Sequence, residues 1–462
     1  MTETKENFTL SKLKDLSPNE AKRYITKYFV PLSTGQHAFL MDGKYVIRED
    51  QEIKRSYINR LPKDLARFYL CEYDDVRNIT YELNKPVFFE DKINLCPSMK
   101  FEKREEYVIP DDLKPKLKKF LKYMKDILCS KDKDCYEFLL KWLSNMLKGR
   151  RNNSCLYLKG IQGTGKSSLF VMLSNHVIGK QLSLETGSDP IKTKFNEILA
   201  GKLLVCIEEL ENFTKGEWES ISSTLKRMIT SDNIVYQNKC TKSYEAVNLN
   251  NYILISNNDA VKDDDGRRFF ILDISTEQVG NHDFYKDLYE TCYNDEVGEA
   301  LFNYLYDIDT DGFNPQAYPM TRSKLDSISK RLDIVYKFLK EKYVLRYDGF
   351  RMQFKELYLE FKSYCREQGS DEFGKMKRVS QEDFSKKLLE IGVQVIEKDD
   401  KRIYFMNQDD LLDYATRKYW IHETDTFVNR KKPSKKKPVD DSSDEMSDIT
   451  NKDFSDDDTE KS

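Results

Sequence analysis

The sequence of 462 residues predicts an α/β fold built on a mainly parallel sheet. Short apolar runs and amphipathic helical patterns alternate from about Ser154 to Ile274, the order that places helices between parallel strands. Within that stretch, "SCLYLK" reads as a strand, "GIQGTGKS" as a glycine-rich turn, and "SSLFVMLSNHVIG" as a helix ended by Gly179. Two further apolar runs, "KLLVCIEELEN" and "NNYILISNND", end in polar residues, at the edge where open α/β sheets bind ligands.

Around this core, assigned to 151–280, the chain divides by pattern. Residues 1–108 hold short mixed segments of a small α+β domain, and in "HAFLMDGKYVIRED" a turn at Asp42 and Gly43 separates two strand-like runs. Residues 109–150 form a helical module: Leu113, Leu117, Phe120, Leu121, Met124 and Leu128, then Phe138, Leu139, Trp142, Leu143 and Met146, recur at helical spacing. A helical connector is expected over 281–330. In 331–427, "RMQFKELYLEFKSYCREQG" and "SQEDFSKKLLEIG" read as helices and "VQVIEKDDKRIYFM" as a hairpin, the order of a winged helix. Its Lys386, Lys387, Lys401 and Arg402 suit DNA contact, and a protein-docking module fits the same pattern. Residues 428–462 turn basic in "NRKKPSKKKPV" and then acidic, with almost nothing apolar to bury, so a disordered tail is expected. It reads either as a solubilising tail or as a nuclear localisation signal followed by serines open to phosphorylation.

Composition bounds the class of function. A net charge of -3 carries no global signature of nucleic-acid binding, so any such contact must come from local patches. No apolar run reaches the roughly 18 residues of a membrane span, and "MTETKENFTL" lacks the basic-then-apolar order of a secretion signal. The expectation is a soluble intracellular protein without a membrane partner, with the host nucleus as an address if the tail is a signal. Nine cysteines without a CxxC pair, beside four histidines, read as reduced structural thiols.

The chemistry concentrates after Tyr157. Gly160, Gly163, Gly165, Lys166 and Ser167 satisfy G-x-x-x-x-G-K-[ST] between a strand and a helix. The backbone from Gly160 through Ile161, Gln162, Gly163, Thr164, Gly165, Lys166, Ser167 and Ser168 would wrap phosphates with its N–H groups. Lys166 would reach the β and γ phosphates, and the Ser167 hydroxyl would ligate Mg²⁺. Glu208 and Glu209 end the next apolar strand. Glu208 would hold Mg²⁺ directly or through water and Glu209 would polarise an attacking water; two glutamates merely capping a strand leave the same trace. Asn257, after "NNYILIS", suits a sensor of the γ phosphate. Arg267 and Arg268 open a further apolar strand, where one of them would reach a nucleotide in a neighbouring subunit or pair with the Asp263 to Asp265 run.

In order and spacing, "GIQGTGKSS", "LLVCIEELEN", the hairpin stretch before the third strand, and "ILISNN" followed by "GRRFF" resemble the superfamily 3 helicases, a branch of the AAA+ ATPases of viruses, phages and plasmids. The resemblance is strongest to the helicase part of helicase-primases of large nucleocytoplasmic DNA viruses and related phage and plasmid proteins. "KPVFFEDKINLCPSMKF" is similar to their upstream Asn-containing segment. It implies an AAA+ core assembled as a homohexamer that moves 3′ to 5′ on single-stranded DNA with ATP and Mg²⁺. Lys166 and Ser167 become its phosphate and metal residues, Glu208 and Glu209 its acidic pair, Asn257 its sensor, and Arg267 or Arg268 its finger; a Glu-Glu pair departs from the usual Asp-Glu.

The same resemblance places DNA contact on the hairpin "DNIVYQNKCTKSYEAVNL", with Lys239 and Lys242 near its tip, Tyr236 and Tyr244 on its flanks, and Lys226 and Arg227 in support. No His-x-His nickase motif is present and little space remains upstream for a primase, so a primase or polymerase is expected as a separate partner. The expected activity is a replicative DNA helicase. An AAA+ ATPase acting on RNA or in DNA packaging, and a nucleotide-gated origin-binding protein, are the alternatives.

Overall fold

The alternation read from the sequence condenses into one sheet. Strands Cys155–Lys159, Ser183–Thr186, Leu204–Ile207, Asn251–Ser256 and Phe269–Asp273 pair in parallel throughout. Numbered along the chain, they lie in the spatial order 5-1-4-3-2. The computed structural model describes residues 7–193, 195–208, 215–239, 242–256, 268–322, 325, 332–367, 379–398, 401–421 and 425–428. The chain forms two compact units, Met1–Ser327 and Ile328–Ser462.

In the first unit the sheet is covered on both faces, which is why its strands are apolar throughout rather than alternating. Leu156 and Leu158 point into one core while Cys155 and Tyr157 point into the other. The first core is helical, built by Lys114–Tyr123, Lys133–Leu147, Lys166–Met172, His282–Cys292 and Asp295–Asp307. Every apolar position expected of the upstream helical module is buried in it, from Leu113 to Met146. Asp295–Asp307 crosses the end of the loop-following helix at Gly298, where a Cβ would fall 1.8 Å from the His176 carbonyl oxygen. Only glycine permits that crossing.

Helix Lys215–Thr230 and the antiparallel hairpin Asn233–Tyr236 and Tyr244–Val247 cover the second face, together with N-terminal segments. Those segments include an antiparallel sheet of Phe29–Pro31, His37–Met41 and Lys44–Arg48. Its tight turn falls at Asp42 and Gly43, as the sequence predicts, with Met41 opposite Lys44.

Buried amides tie the N-terminal ends of the central strands together. Asn251 Oδ1 accepts from both the backbone N–H and the Nδ2 of Asn152, each at 3.0 Å. Asn251 Nδ2 donates to the carbonyls of Leu203 and Leu249, at 3.3 and 3.4 Å. Asn152 in turn donates to the Trp142 carbonyl at 3.0 Å and accepts from Asn145 at 2.9 Å. One network therefore joins the helix Lys133–Leu147 to three strands.

The second unit packs helices Ile334–Lys342, Phe354–Glu367, Gln381–Glu390 and Gln408–Arg417 on a three-stranded antiparallel sheet. Phe338, Phe361 and Phe384 meet in its core, the last two stacked at 4.5 Å. The expected two-stranded wing gains a third strand, Phe350–Gln353, paired with Lys401–Met406. The sequence pattern begins a helix at Arg351, whereas the helix starts at Phe354. The deciding partner lies some fifty residues downstream, beyond the reach of local periodicity. Lys387 is ion-paired with Asp333, and Arg402 with Glu397 at 3.1 Å. Lys401 stays exposed.

Among the described residues, no helix is long and apolar enough to cross a membrane. The described cysteines are free thiols, and burial pushes those of Cys129, Cys155 and Cys206 well above the ordinary range. Cys240 and the tail from 429 onward lie outside the described residues.

Asn251→Ala strips two donors of Asn152 and two carbonyls of their partners. The expected loss is about 3 kcal/mol of unfolding free energy, read by urea denaturation. A loss under about 1 kcal/mol would show that the network does not hold the strands.

Candidate functional site

The strand Cys155–Lys159 delivers the glycine-rich loop to the C-terminal edge of the sheet, and the loop leads directly into helix Lys166–Met172. Gly165 is the residue before that helix and takes a left-handed φ of 77°. A Cβ there would meet the Tyr285 ring at 2.6 Å, so the position excludes any side chain. Thr164 is fully buried and its hydroxyl donates to the Ile161 carbonyl at 2.9 Å, which closes the loop on itself. Lys166 is only 8% exposed. Its ammonium donates to the carbonyls of Gly160 and of Ile161, the latter at 2.8 Å, and is thereby held over the loop.

Two strands away in the sheet, Leu204–Ile207 ends at Glu208. The Ser167 hydroxyl donates to Glu208 Oε1 at 2.9 Å. The two residues expected to share Mg²⁺ are thus brought together from positions 41 apart in the chain. Their oxygens form the hard donor set that suits Mg²⁺ alongside phosphate and water. Among the described residues no cluster of three or more His, Cys, Asp and Glu side chains forms a metal cage. A site completed by phosphate oxygens does not require one.

The loop has a neighbourhood that the sequence pattern does not announce. Helix His282–Cys292 and the residue after it carry Tyr285, Tyr289 and Tyr293 at four-residue spacing. Tyr289 and Ser168 share a hydroxyl hydrogen bond of 3.0 Å, and the Tyr293 hydroxyl donates to the Ser168 carbonyl at 2.9 Å. Close to these three, the buried Tyr123 hydroxyl donates to the Gly165 carbonyl at 2.8 Å. Four tyrosines therefore fix the junction of loop and helix. The signal is present as "YKDLYETCY", but only the packing of that helix against the loop gives it meaning.

Glu185, on the edge strand Ser183–Thr186, is a second addition. Burial, and then the nearby Glu208 carboxylate, raises its carboxyl above the ordinary value.

The hairpin expected to meet DNA is present, with Tyr236 directly opposite Tyr244. Both tyrosines face inward: Tyr236 is 0% exposed, and Tyr244 shares a 3.0 Å hydroxyl hydrogen bond with Tyr81. They are core residues of the second face. The outward groups at the far end are Lys239, whose ammonium sits 5.7 Å from the centre of the Phe195 ring, and Lys242, which lies near the turn at Gly35.

Arg268 starts the strand Phe269–Asp273, where its carbonyl accepts from the Cys155 N–H at 2.7 Å. That is the N-terminal edge of the sheet, a full strand length from the loop of the same chain. Glu209, Asn257 and Arg267 lie outside the described residues.

Residues 158–268 match the profile of a family of unknown function, DUF5906. The DNA primase-polymerase of Nitratiruptor phage NrS-1 is 25% identical over 262 residues, which is 54% of this chain. The chain is similar to a phage primase-polymerase. It spans about a third of that relative, since the match covers 34% of its length. The apo C-terminal region of NrS-1 superposes with a TM-score of 0.58 at 17% identity, over 84% of this chain and 97% of that one. An A-form apo structure of the same region gives 0.59 at 18% identity, over 84% and 98%. The two proteins share a fold at this level.

These relatives correct the expected activity. The protein that matches is a primase-polymerase and not a helicase, which overturns the expectation of an ATP-hydrolysing replicative helicase. The motif spacing that carried that expectation describes a glycine-rich loop on a parallel sheet. Such a framework hosts many activities, so spacing alone could not select one.

The raised Glu185 carboxyl makes stability depend on pH. Its charged form is disfavoured in the folded chain, so its cost to stability grows as pH rises above the ordinary carboxylate range. Glu185→Gln is expected to raise Tm at pH 7 and to match the parent near pH 4. An equal offset at both pH values would remove this account.

Proposed function

We propose that this chain acts in DNA replication as a nucleotide-binding part of a DNA-acting enzyme, in the manner of a primase-polymerase C-terminal region. The loop Gly160–Ser168 takes ATP, with Lys166 against the β and γ phosphates. Ser167 and Glu208 hold Mg²⁺, which when bound would draw the phosphate oxygens to that edge of the sheet. The observation that carries the reading is the 2.9 Å contact from Ser167 to Glu208, because it joins the two metal-directed residues at the mouth of a phosphate loop.

An AAA+ type of core is the finer fold assignment. Its support is the strand order 5-1-4-3-2, with the phosphate loop after the first strand and an acid after the third. Glu209 and Asn257 are assigned to the γ-phosphate side from sequence alone. Arg267 and Arg268 are assigned to a nucleotide on another copy of the chain, which the distance of Arg268 from its own loop favours.

Single-stranded DNA is the proposed partner of the Lys239 and Lys242 hairpin, since exposed lysines neutralise backbone phosphates without reading bases. The second unit, with successive helices followed by an antiparallel wing, is proposed as a winged helix, and its exposed Lys401 is available for DNA. A primase or polymerase is the protein partner that the likeness favours.

Titration with a fluorescent ATP analogue tests the site. Lys166→Ala is expected to weaken binding roughly a hundredfold, the loss of a charge-assisted contact worth about 3 kcal/mol. Glu208→Gln is expected to abolish the gain in affinity that Mg²⁺ brings to the parent. Parent-like binding by both variants would sink the nucleotide assignment.

A further inference from the structure

Beside the hairpin lies a cavity of about 460 Å³, lined by no residue of the Gly160–Ser168 loop. Its floor is apolar, formed by the buried Ile191, Met228 and Ile234. Its rim carries the exposed cations Lys192 and Arg227, together with Thr193 and Gln237. None of the described residues that line it is acidic. Asp232, between the lining residues Ser231 and Asn233, is ion-paired with Arg151 at 3.1 Å.

The wall is braced by one asparagine. Asn196 Nδ2 donates to the Val235 carbonyl at 3.0 Å, its Oδ1 accepts from the Gln237 N–H at 2.9 Å, and its own N–H donates to the Gln237 carbonyl at 3.1 Å. The segment before the third strand is thereby locked to the outer hairpin strand, and the cavity keeps its shape. Next to it stands Phe195, 42% exposed, with the Lys239 ammonium over its ring. An exposed aromatic beside cations and an apolar recess is the combination that holds unpaired bases. The volume falls within the roughly 300–1,000 Å³ of small-ligand pockets, enough for one nucleotide.

We propose that this cavity takes one nucleotide of a single-stranded DNA that continues along the hairpin. The base rests on the Ile191, Met228 and Ile234 floor with Phe195 at its edge, and the flanking phosphates meet Lys192 and Arg227. The proposal rests on the reading that the Lys239 and Lys242 hairpin contacts DNA, and it adds a second, separable contact to it.

Fluorescence anisotropy of a labelled oligothymidylate, titrated with the full chain at several salt concentrations, separates the two. The pair Lys192→Ala, Arg227→Ala is expected to weaken binding at least tenfold and to lower the salt slope by about 1.4, or roughly 0.7 for each phosphate that is no longer neutralised. Phe195→Ala is expected to weaken binding about fivefold or more at an unchanged slope. Lys242→Ala probes the hairpin without touching the lysine that lies over Phe195. If that variant loses affinity while the cavity variants bind like the parent, the cavity proposal is overturned and the hairpin reading stands. A parent that binds no oligothymidylate at low salt overturns both. Cavity variants that change the sedimentation coefficient but not the anisotropy mark the surface as an interface between copies, which also overturns the proposal. Should a variant fail to fold, crosslinking of a 5-iodouracil oligonucleotide to the unmodified chain decides: crosslinks are expected within 189–202 or 226–237, and crosslinks confined elsewhere refute it.

Discussion

The hydrogen bonds from Asn152 to Asn251 set the starting register of the sheet on which everything else is built. Their amides join the beginnings of the first, third and fourth strands, each only four to six residues long. A short parallel strand transmits its register rigidly, so the residues that emerge at the opposite edge are fixed by what is anchored below. A polar network in a core is tolerable only when its members find partners, and these amides do. Asn248 and Asn250 extend the same device: Asn250 donates to the carbonyls of Leu199 and Lys202, and Asn248 to those of Met228 and Ser231. The asparagine-rich stretch before the fourth strand is thus a row of carbonyl clamps.

At the upper edge the consequence is chemical. The first strand ends in the phosphate loop, the third ends in Glu208, and the fourth lies between them. That spacing lets Ser167 reach Glu208 without distorting either strand. Tyr289 and Tyr293, with Tyr123 beside them, then hold the junction of loop and helix through its carbonyls and Ser168. Such bracing makes the loop rigid, which a backbone proposed to aim its N–H groups at phosphates would require. Lys166 and Glu208 stand on the same edge with opposite charge, and the neighbouring Glu185 feels the second of them.

The likeness to a primase-polymerase changes what this machinery is taken to serve. A loop, an acid and a basic hairpin in sequence resemble a helicase because the helicases use the same parts in the same order. The fold that positions those parts is shared with the NrS-1 C-terminal region. The hairpin keeps its lysines outside and its tyrosines inside, so the DNA contact proposed above would fall on charge rather than on Tyr236 and Tyr244.

Strand, loop, helix and acid were legible in the chain because each is a local pattern: an apolar run, glycines at fixed offsets, a helical period, a carboxylate after a strand. The burial of the upstream module, from Leu113 to Met146, was legible for the same reason. What remained hidden depends on partners far away along the chain. Tyr244 turns inward because Tyr81, 163 residues before it, offers a hydroxyl and a core. Phe350–Gln353 is a strand because Lys401–Met406 pairs with it. Tyr285, Tyr289 and Tyr293 matter because Gly165 and Ser168 lie under them. The sequence by itself determined the glycine-rich loop, the strands and most of the helices, through interactions within a few residues. Only the tertiary structure decided which side chains meet, because each such meeting is settled by long-range packing that no local period encodes.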